Sequence, residues 1–148
     1  MDELSTVSTS VQYIVVKLGE ERFGINISYV DNIVRMQRMT RVPEVAPYIK
    51  GVINLRGEVV PVMSTRIKMG LEPDVETNAT RIIILKFEQQ GFIGFIVDAV
   101  NEVVTLGTDS IEKVADQNKE GAFVQGVGKS NDGLISILDL NALINDQV

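Results

Sequence analysis

Five carboxylates lie where the sequence predicts turns and strand ends, the positions from which side chains often reach a substrate or a partner. They are Glu20, Glu21, Asp31, Asp98 and Glu102. Two carboxylates placed around one bond could act as general acid and general base. No two of these five recur at a spacing that commits them to one bond. We therefore interpret them as solvated or capping groups and name no catalytic residue.

The composition removes most other catalytic chemistry. The 148 residues include no histidine and no cysteine, which excludes the commonest general base, the commonest metal ligand, thiolate metal sites and disulfides. The stretch GVGKSNDG (126–133) lacks the residue order of a phosphate-binding loop and is predicted to be a hairpin. We expect no enzyme activity, no metal and no cofactor.

One basic residue has a more specific setting. In GVINLRGEVVPV (51–62), two β-rich runs flank Arg56 and Gly57, which predicts a hairpin with the arginine at its tip. The corresponding turn of the second half carries Asn131, Asp132 and Gly133, so we infer that the fold itself requires no arginine there. Arg56 is then a partner contact, a support for its loop or a solvated side chain. The sequence does not separate support from contact.

The elements that position this hairpin are present twice. The aligned blocks are 13–34 with 83–104, and 48–62 with 123–138. In the first pair Ile33 falls on Val103. In the second pair one inserted residue is needed to bring Gly57 onto Gly133. Two blocks in the same order indicate an internal duplication of a unit of roughly 65 residues.

Each copy is predicted to be nearly all β. The apolar runs YIVVKL (13–18) and IIILKF (82–87) are typical of strands buried on both faces, and a glycine inside each second strand indicates a bulge or close backbone approach. SYVDNI (28–33) and DAVNEV (98–103) are expected to form a helical turn before a third strand. We predict a mainly β fold of two small five-stranded barrels, related by duplication and packed on a shared apolar core, with short helices.

Capping residues predict the helix ends, and the repeat with its polar linker predicts the domain boundaries. Ser64 and Asp139 are placed as N-caps, and Gly70 as the stop of the first helix. The predicted domains are a disordered N-terminal arm at 1–11, a first barrel at 12–80 that includes a linker at 71–80, and a second barrel with a C-terminal helix at 81–148.

Charge and hydropathy limit the partners. The net charge of −6 disfavours nucleic acid and anionic membranes, because both attract clustered lysine and arginine. The first ten residues lack the basic start and apolar stretch of a signal peptide, and the apolar runs are too short to cross a bilayer. We expect a cytoplasmic protein, without direct membrane insertion, that is a monomer when isolated.

A groove between the two barrels is a second possible site. Val30, Ile33 and Val34 follow the second strand, and core packing is one interpretation of them. The other is that some of them line an apolar groove that receives a partner helix through spaced apolar anchors. Both interpretations remain open on the pattern alone.

Nearly the whole chain resembles the CheW family of bacterial chemotaxis coupling proteins. The most specific signature is VPEVAPYIKGVINLRGEVVPV (42–62), and further similar segments are LGEERFGINISYVDNIVR (18–35), GFIGFIVDAVNEVV (91–104) and GVGKSNDGLISILDLNALI (126–144). The resemblance implies an adaptor that couples transmembrane chemoreceptors to the histidine kinase CheA in a two-component system. Its implied partners are the regulatory domain of CheA and the cytoplasmic tip of the receptors, in arrays beneath the inner membrane.

The resemblance also implies the site residues. The partner-binding positions are Val30, Ile33, Asn54, Arg56, Gly57 and Val59, and Arg56 is the one implied to matter for receptor coupling. One departure is that the family's Asp-Leu stands here as Ser64 and Thr65. Serine keeps the N-cap, whereas Thr65 removes an apolar contact and weakens the prediction of that helix.

Two alternative functions remain at this stage. The chain could be a CheW-like regulatory domain of a larger signalling protein, or a barrel that binds a small molecule. A sequence that starts at Met1 and ends shortly after its closing helix favours the free-standing adaptor.

Overall fold

The apolar runs at 13–18 and 82–87 lie in interior strands of two β-sheets. A computed structural model describes residues 9–113 and 123–145, and these residues form eleven strands, two short helices and two 3-10 turns. The strands are β1 (Ser10–Leu18), β2 (Glu21–Asn26), β3 (Val30–Arg35), β4 (Ile49–Leu55), β5 (Glu58–Ser64), β6 (Arg81–Phe87), β7 (Gly91–Val97), β8 (Ala99–Gly107), β9 (Glu112–Lys113), β10 (Val124–Ser130) and β11 (Gly133–Leu138). The helices are α1 (Thr65–Lys68) and α2 (Leu140–Ile144), and the 3-10 turns are Ile27–Tyr29 and Thr108–Ser110.

Both sheets combine strands from the two halves of the sequence. The five-stranded sheet has the order β3-β6-β7-β5-β4, and the six-stranded sheet has the order β8-β1-β2-β11-β10-β9. The hairpin β1–β2 thus completes the sheet of the second half, and β6–β7 completes the sheet of the first half. The two orders agree when each strand is replaced by its repeat counterpart, which confirms the duplicated, mainly β fold, with β9 added to the second sheet.

The sheets do not divide the chain at residue 80, because each sheet takes a hairpin from across that point. The boundary between 12–80 and 81–148 follows the sequence repeat. The division of the chain into two subdomains at this boundary stays a prediction. β1 begins at Ser10, inside the segment 1–11 that is predicted to be a disordered arm. Residues 1–8 of that arm lie outside the described residues.

The described residues form three apolar clusters, and the two halves of the sequence share one of them. Because side chains alternate across a strand, β1 contributes Tyr13 and Val15 to a cluster inside the six-stranded sheet and Ile14 and Val16 to a central cluster. The alternate residues of β6 divide in the same way between the central cluster and a cluster of the five-stranded sheet. This arrangement confirms the shared apolar core and explains why successive residues are apolar in both runs, up to Lys17 in the first and Lys86 in the second.

Gly24 and Gly94 leave room for side chains of neighbouring strands. A Cβ atom on Gly94 would lie 2.7 Å from Cγ2 of Ile82, and one on Gly24 would lie 3.0 Å from Cδ1 of Ile137. Both glycines stand where a parallel strand pairs with the hairpin from the other half. Side chains of neighbouring strands pack over both glycines, and the ladder has no bulge at either position, so neither the bulge nor the close backbone approach predicted from the sequence is found there.

The N-terminal caps of both helices are as predicted. The hydroxyl of Ser64 accepts a hydrogen bond from the backbone N–H of Ile67 at 3.0 Å. The carboxylate of Asp139 accepts one from the backbone N–H of Ala142 at 3.1 Å. Each cap satisfies one of the amides that a helix start leaves without a partner.

α1 ends at a glycine, also as predicted. Gly70 has φ +82°, and its N–H donates to the carbonyl of Ile67 at 3.0 Å. The N–H of Leu71 donates to the carbonyl of Arg66 at 2.8 Å, so the helix closes with a Schellman motif. The helix therefore forms with Thr65 in place of leucine.

Two further sequence predictions need correction. A helical turn precedes β3 but not β8. Asn26 caps the first turn by accepting the N–H of Ser28 at 2.9 Å, whereas the aligned position is Ile96, which has no side-chain acceptor. The one-residue insertion placed between blocks 48–62 and 123–138 is also wrong. Both hairpins have two-residue loops, with Leu55 opposite Glu58 and Ser130 opposite Gly133.

Candidate functional site

The tip of the β4–β5 hairpin places an arginine in an unfavourable backbone conformation. Arg56 has φ +51° and Gly57 has φ +84°, positive values at both loop positions as in a type I′ turn. Glycine and asparagine adopt this region readily, but a side chain such as arginine costs about 1 kcal/mol there. A strained residue that nothing local requires is a candidate for function.

The loop is held by its own strand. The side-chain oxygen of Asn54 accepts a hydrogen bond from the backbone N–H of Gly57 at 3.1 Å. A Cβ atom on Gly57 would meet nothing within 4 Å, so glycine is needed there for its backbone angle and not for space. Asn54 and Gly57 therefore fix the shape of the loop that presents Arg56.

The side chain of Arg56 bridges the two ends of the five-stranded sheet. Its Nη2 donates to Oδ2 of Asp31 at 2.8 Å, although β3 and the β4–β5 hairpin lie at opposite ends of the strand order. The Arg56 side chain is 67% exposed and that of Asp31 is 29% exposed. An exposed pair contributes only about 0.2–1 kcal/mol. Asp31, interpreted from sequence as solvated, is instead the partner of the candidate arginine.

A small cavity lies beside this ion pair. It has a volume of about 330 Å³, and Asp31, Leu55, Arg56 and Phe92 are among the residues that line it. A guanidinium has five N–H donors, and one donates to a described residue here. The remaining donors are available to a partner carboxylate or carbonyl without large rearrangement.

Val30 and Ile33 lie on the face of the five-stranded sheet that also carries residues of the central cluster. Val30 and Ile33 stand opposite Leu85 and Ile83, which belong to the central cluster. Val30 is half-buried against that cluster, whereas Ile33 is 37% exposed. Core packing therefore describes Val30 better, and Ile33 is free for contact. Val34 faces the opposite way, into the cluster of the five-stranded sheet.

Val59 is the most exposed of the apolar candidates. It stands opposite Asn54 in the hairpin, and 66% of its surface is exposed. Ile33 and Val59 together are named the first exposed pair. The structure brings Asn54, Arg56, Gly57 and Val59 together at one hairpin and places Ile33 on the far edge strand.

The duplication produces a second exposed pair that sequence reasoning did not select. Val103 on β8 is 50% exposed and Leu134 on β11 is 62% exposed. They occupy the positions equivalent to Ile33 and Val59 in the six-stranded sheet. The sequence alignment already paired Ile33 with Val103, so Val103 could have been selected from it. The one-residue insertion prevented the alignment from pairing Val59 with Leu134.

The second hairpin uses a different arginine. Arg22 on β2 donates from Nη2 to the hydroxyl of Ser130 at 2.7 Å. Its Nη1 lies 3.7 Å from Glu102 and 3.7 Å from Asp132. A cationic side chain thus links β8 to the hairpin tip in the second sheet as well. The hairpin position equivalent to Arg56 carries Asn131, so the inference that the fold requires no arginine at that position stays a prediction.

One carboxylate ties the two halves together away from both tips. Asp98 accepts hydrogen bonds from Nε and Nη2 of Arg66 at 2.8 Å and 2.6 Å, and from the backbone N–H of Gly19 at 2.8 Å. The hydrogen bond from Arg66 lowers the pKa of Asp98, and the Gly19 amide adds to this. The same bond raises the pKa of Arg66. The group is a structural clamp between α1 and the β1–β2 turn.

Among residues 9–113 and 123–145, no cluster of three or more carboxylates is placed to hold a metal ion. No helix in that part of the chain is both long and apolar enough to span a membrane.

Comparison with known proteins gives a consistent family. The family model described as "CheW-like domain" matches residues 12–148. Chemotaxis protein CheW of Bacillus subtilis is 34% identical over 143 residues, which cover 95% of this chain and 91% of that protein. The Helicobacter pylori protein of the same name is 33% identical over 135 residues, which cover 90% of this chain and 81% of that one.

The fold agrees with a solved structure of the same family. The crystal structure of scaffolding protein TtCheW from Thermoanaerobacter tengcongensis is similar with a TM-score of 0.84 and 33% identity. The match covers 94% of this chain and 90% of that one. The chain described here belongs to the CheW-like family.

Proposed function

We propose that this chain is a cytoplasmic chemotaxis adaptor that couples chemoreceptors to the histidine kinase CheA by protein contacts and catalyses no reaction. Its relatives are named as chemotaxis proteins, and its structural neighbour as a scaffolding protein. The partners are the regulatory domain of CheA and the cytoplasmic tip of the receptors, as the sequence resemblance implies. Isolated, the chain is a monomer, and it joins receptor arrays through its partners.

The observation that carries the proposal is the repetition of an exposed apolar pair. An adaptor must hold two partners at once, and the fold presents Ile33 with Val59 on one sheet and Val103 with Leu134 on the other. Burying an exposed valine or leucine fully against a partner contributes up to about 1.5–3 kcal/mol. Each sheet thus presents exposed apolar side chains on two separate strands, and a partner can bury them.

Arg56 lies in the same hairpin as Val59 and determines which partner binds there. Asn54 and Gly57 hold the loop, and the ion pair with Asp31 is weak enough to be exchanged for a partner group. A guanidinium forms strong, directional bonds to carboxylates and carbonyls. Arg56 accordingly contacts the partner, and Asn54 and Gly57 act by shaping its loop.

The test measures binding to a receptor cytoplasmic fragment and to the CheA regulatory domain separately. Val59→Glu should weaken binding of one of the two partners at least tenfold. Val103→Glu, in the second exposed pair, should weaken binding of the partner that contacts the six-stranded sheet by a similar factor. Val75→Glu is the matched control, because Val75 is 78% exposed and lies outside both pairs. Equal binding by all three variants would remove both surfaces from the proposal.

A further inference from the structure

Residues 35–50, from the end of β3 to the start of β4, carry more positive than negative charge. The chain as a whole has a net charge of −6, yet residues 35–50 contain four cations and only one carboxylate, Glu44. The cations are Arg35, Arg38, Arg41 and Lys50, all exposed. Within the part of the chain that the structure describes, none of the four forms an ion pair.

Two of these cations share a cavity with exposed apolar side chains. Arg41 and Lys50 line a volume of about 550 Å³, named here the 41–50 cavity. Val42 and Val45 line it as well and are 37% and 42% exposed. Glu44 is the one carboxylate among the described residues that line it. The cavity therefore combines two unpaired cations with apolar surface that the fold leaves uncovered.

The walls of the cavity are preorganised. Thr40 and Val52 exchange two backbone hydrogen bonds of 2.9 Å and 2.8 Å, which fasten the segment to β4. A Cβ atom on Gly51 would lie 2.6 Å from the carbonyl oxygen of Thr40, so only glycine permits this approach. Pro43 and Pro47 restrict the loop between them. A preorganised loop loses less conformational entropy when a ligand binds.

We propose that the 41–50 cavity binds an acidic polypeptide segment that carries apolar residues beside its carboxylates. Arg41 and Lys50 pair with one or two carboxylates, and Val42 and Val45 cover the neighbouring apolar side chains. Nucleic acid and anionic membranes present extended negative charge, which a protein of net charge −6 repels. A site with two cations is therefore better suited to a short acidic segment than to nucleic acid or an anionic membrane.

This cavity is separate from the hairpin that carries Arg56. Lys50 and Leu55 lie at opposite ends of β4, and five strand residues at about 3.3 Å each place them roughly 17 Å apart. The inference goes beyond the adaptor function and stands independently of it, because it concerns a third surface. A failure at this cavity would leave the two exposed pairs untouched.

The probe is a short fluorescein-labelled peptide of Glu-Glu-Leu repeats, with the matching Gln-Gln-Leu peptide as the neutral control. Fluorescence anisotropy with the full chain should detect the acidic peptide alone, and its affinity should fall as salt is raised. The double variant Arg41→Glu with Lys50→Glu should bind it about tenfold more weakly. The double variant Lys113→Glu with Lys129→Glu makes the same change in net charge elsewhere and should bind it nearly as wild type does.

Several results would overturn the proposal. They are no binding of the acidic peptide, equal binding of the two peptides, equal loss in both double variants, or binding to anionic phosphatidylglycerol vesicles in place of the peptide. The neutral variant Arg41→Gln with Lys50→Gln should also lose affinity while the melting temperature stays at the wild-type value. Retained affinity in that variant would equally contradict the role of the two cations.

Discussion

Replacing Arg56 with asparagine separates its structural role from its binding role. Asparagine is favoured at the first position of a type I′ turn, so the change should recover about 1 kcal/mol of backbone strain at φ +51°. It removes the exposed ion pair with Asp31, which contributes about 0.2–1 kcal/mol. The net free energy of unfolding should therefore be unchanged or up to about 1 kcal/mol higher. That corresponds to a rise in melting temperature of about 0–4 °C.

Binding should change in the opposite direction. Arginine side chains at interface centres often contribute 2 kcal/mol or more, so Arg56→Asn should weaken receptor-fragment binding at least tenfold. Thermal denaturation and titration calorimetry on one preparation measure both quantities. Asp31→Asn is the matched control, because it breaks the same ion pair but keeps the guanidinium, and it should retain binding.

Two outcomes would refute this reasoning. If Arg56→Asn lowers the melting temperature by several degrees together with binding, Arg56 supports the fold and the strain argument fails. If neither quantity changes, Arg56 is a solvated side chain without a partner. The charge reversal Arg56→Glu should abolish receptor-dependent kinase activation, since it leaves a carboxylate beside Asp31 and removes the donors that a partner needs.

Three further predictions concern the fold. Asp98→Asn should lower the free energy of unfolding by about 2 kcal/mol at neutral pH, because it weakens a charged hydrogen-bond pair with Arg66. Since Arg66 holds the pKa of Asp98 below its usual value, this contribution is complete above the unfolded-state pKa. It is lost as the pH falls through the folded-state pKa, so denaturant titrations of wild type and variant should converge in acid. Thr65→Val should raise the free energy of unfolding by about 1 kcal/mol, because its buried hydroxyl has no hydrogen-bond partner among the described residues; unchanged or lower stability in urea would contradict this. The separate fragments 1–80 and 81–148 should show no cooperative thermal transition, because each loses the hairpin that it takes from the other; two independent transitions would show that the halves fold alone.

Features determined by short-range physics could be predicted from the sequence. Ser64 and Asp139 cap helices through amides three residues away, and Gly70 ends α1 through its own backbone angle. The run at 82–87 indicated a doubly buried strand because both of its faces pack in apolar clusters. None of these predictions needs knowledge of a distant residue.

Features that depend on distant pairing could not be predicted in the same way. The hairpin β1–β2 joins the sheet of the second half through pairs such as Phe23 with Ser136, and no local pattern marks that choice. The contact between Asp31 and Arg56 exists only because the sheet brings its two ends together. The false insertion arose from matching Gly57 with Gly133 by letter, although Gly57 lies in its loop and Gly133 begins a strand.

The proposed function requires that one chain hold two signalling partners through separate surfaces. Multi-angle light scattering on a mixture of this chain, a receptor cytoplasmic fragment and the CheA regulatory domain tests this requirement. We expect a ternary complex whose mass is at least the sum of one copy of each component, and we expect either Val59→Glu or Val103→Glu to abolish it. Two binary complexes that exclude one another, with no ternary species at any ratio, would contradict it.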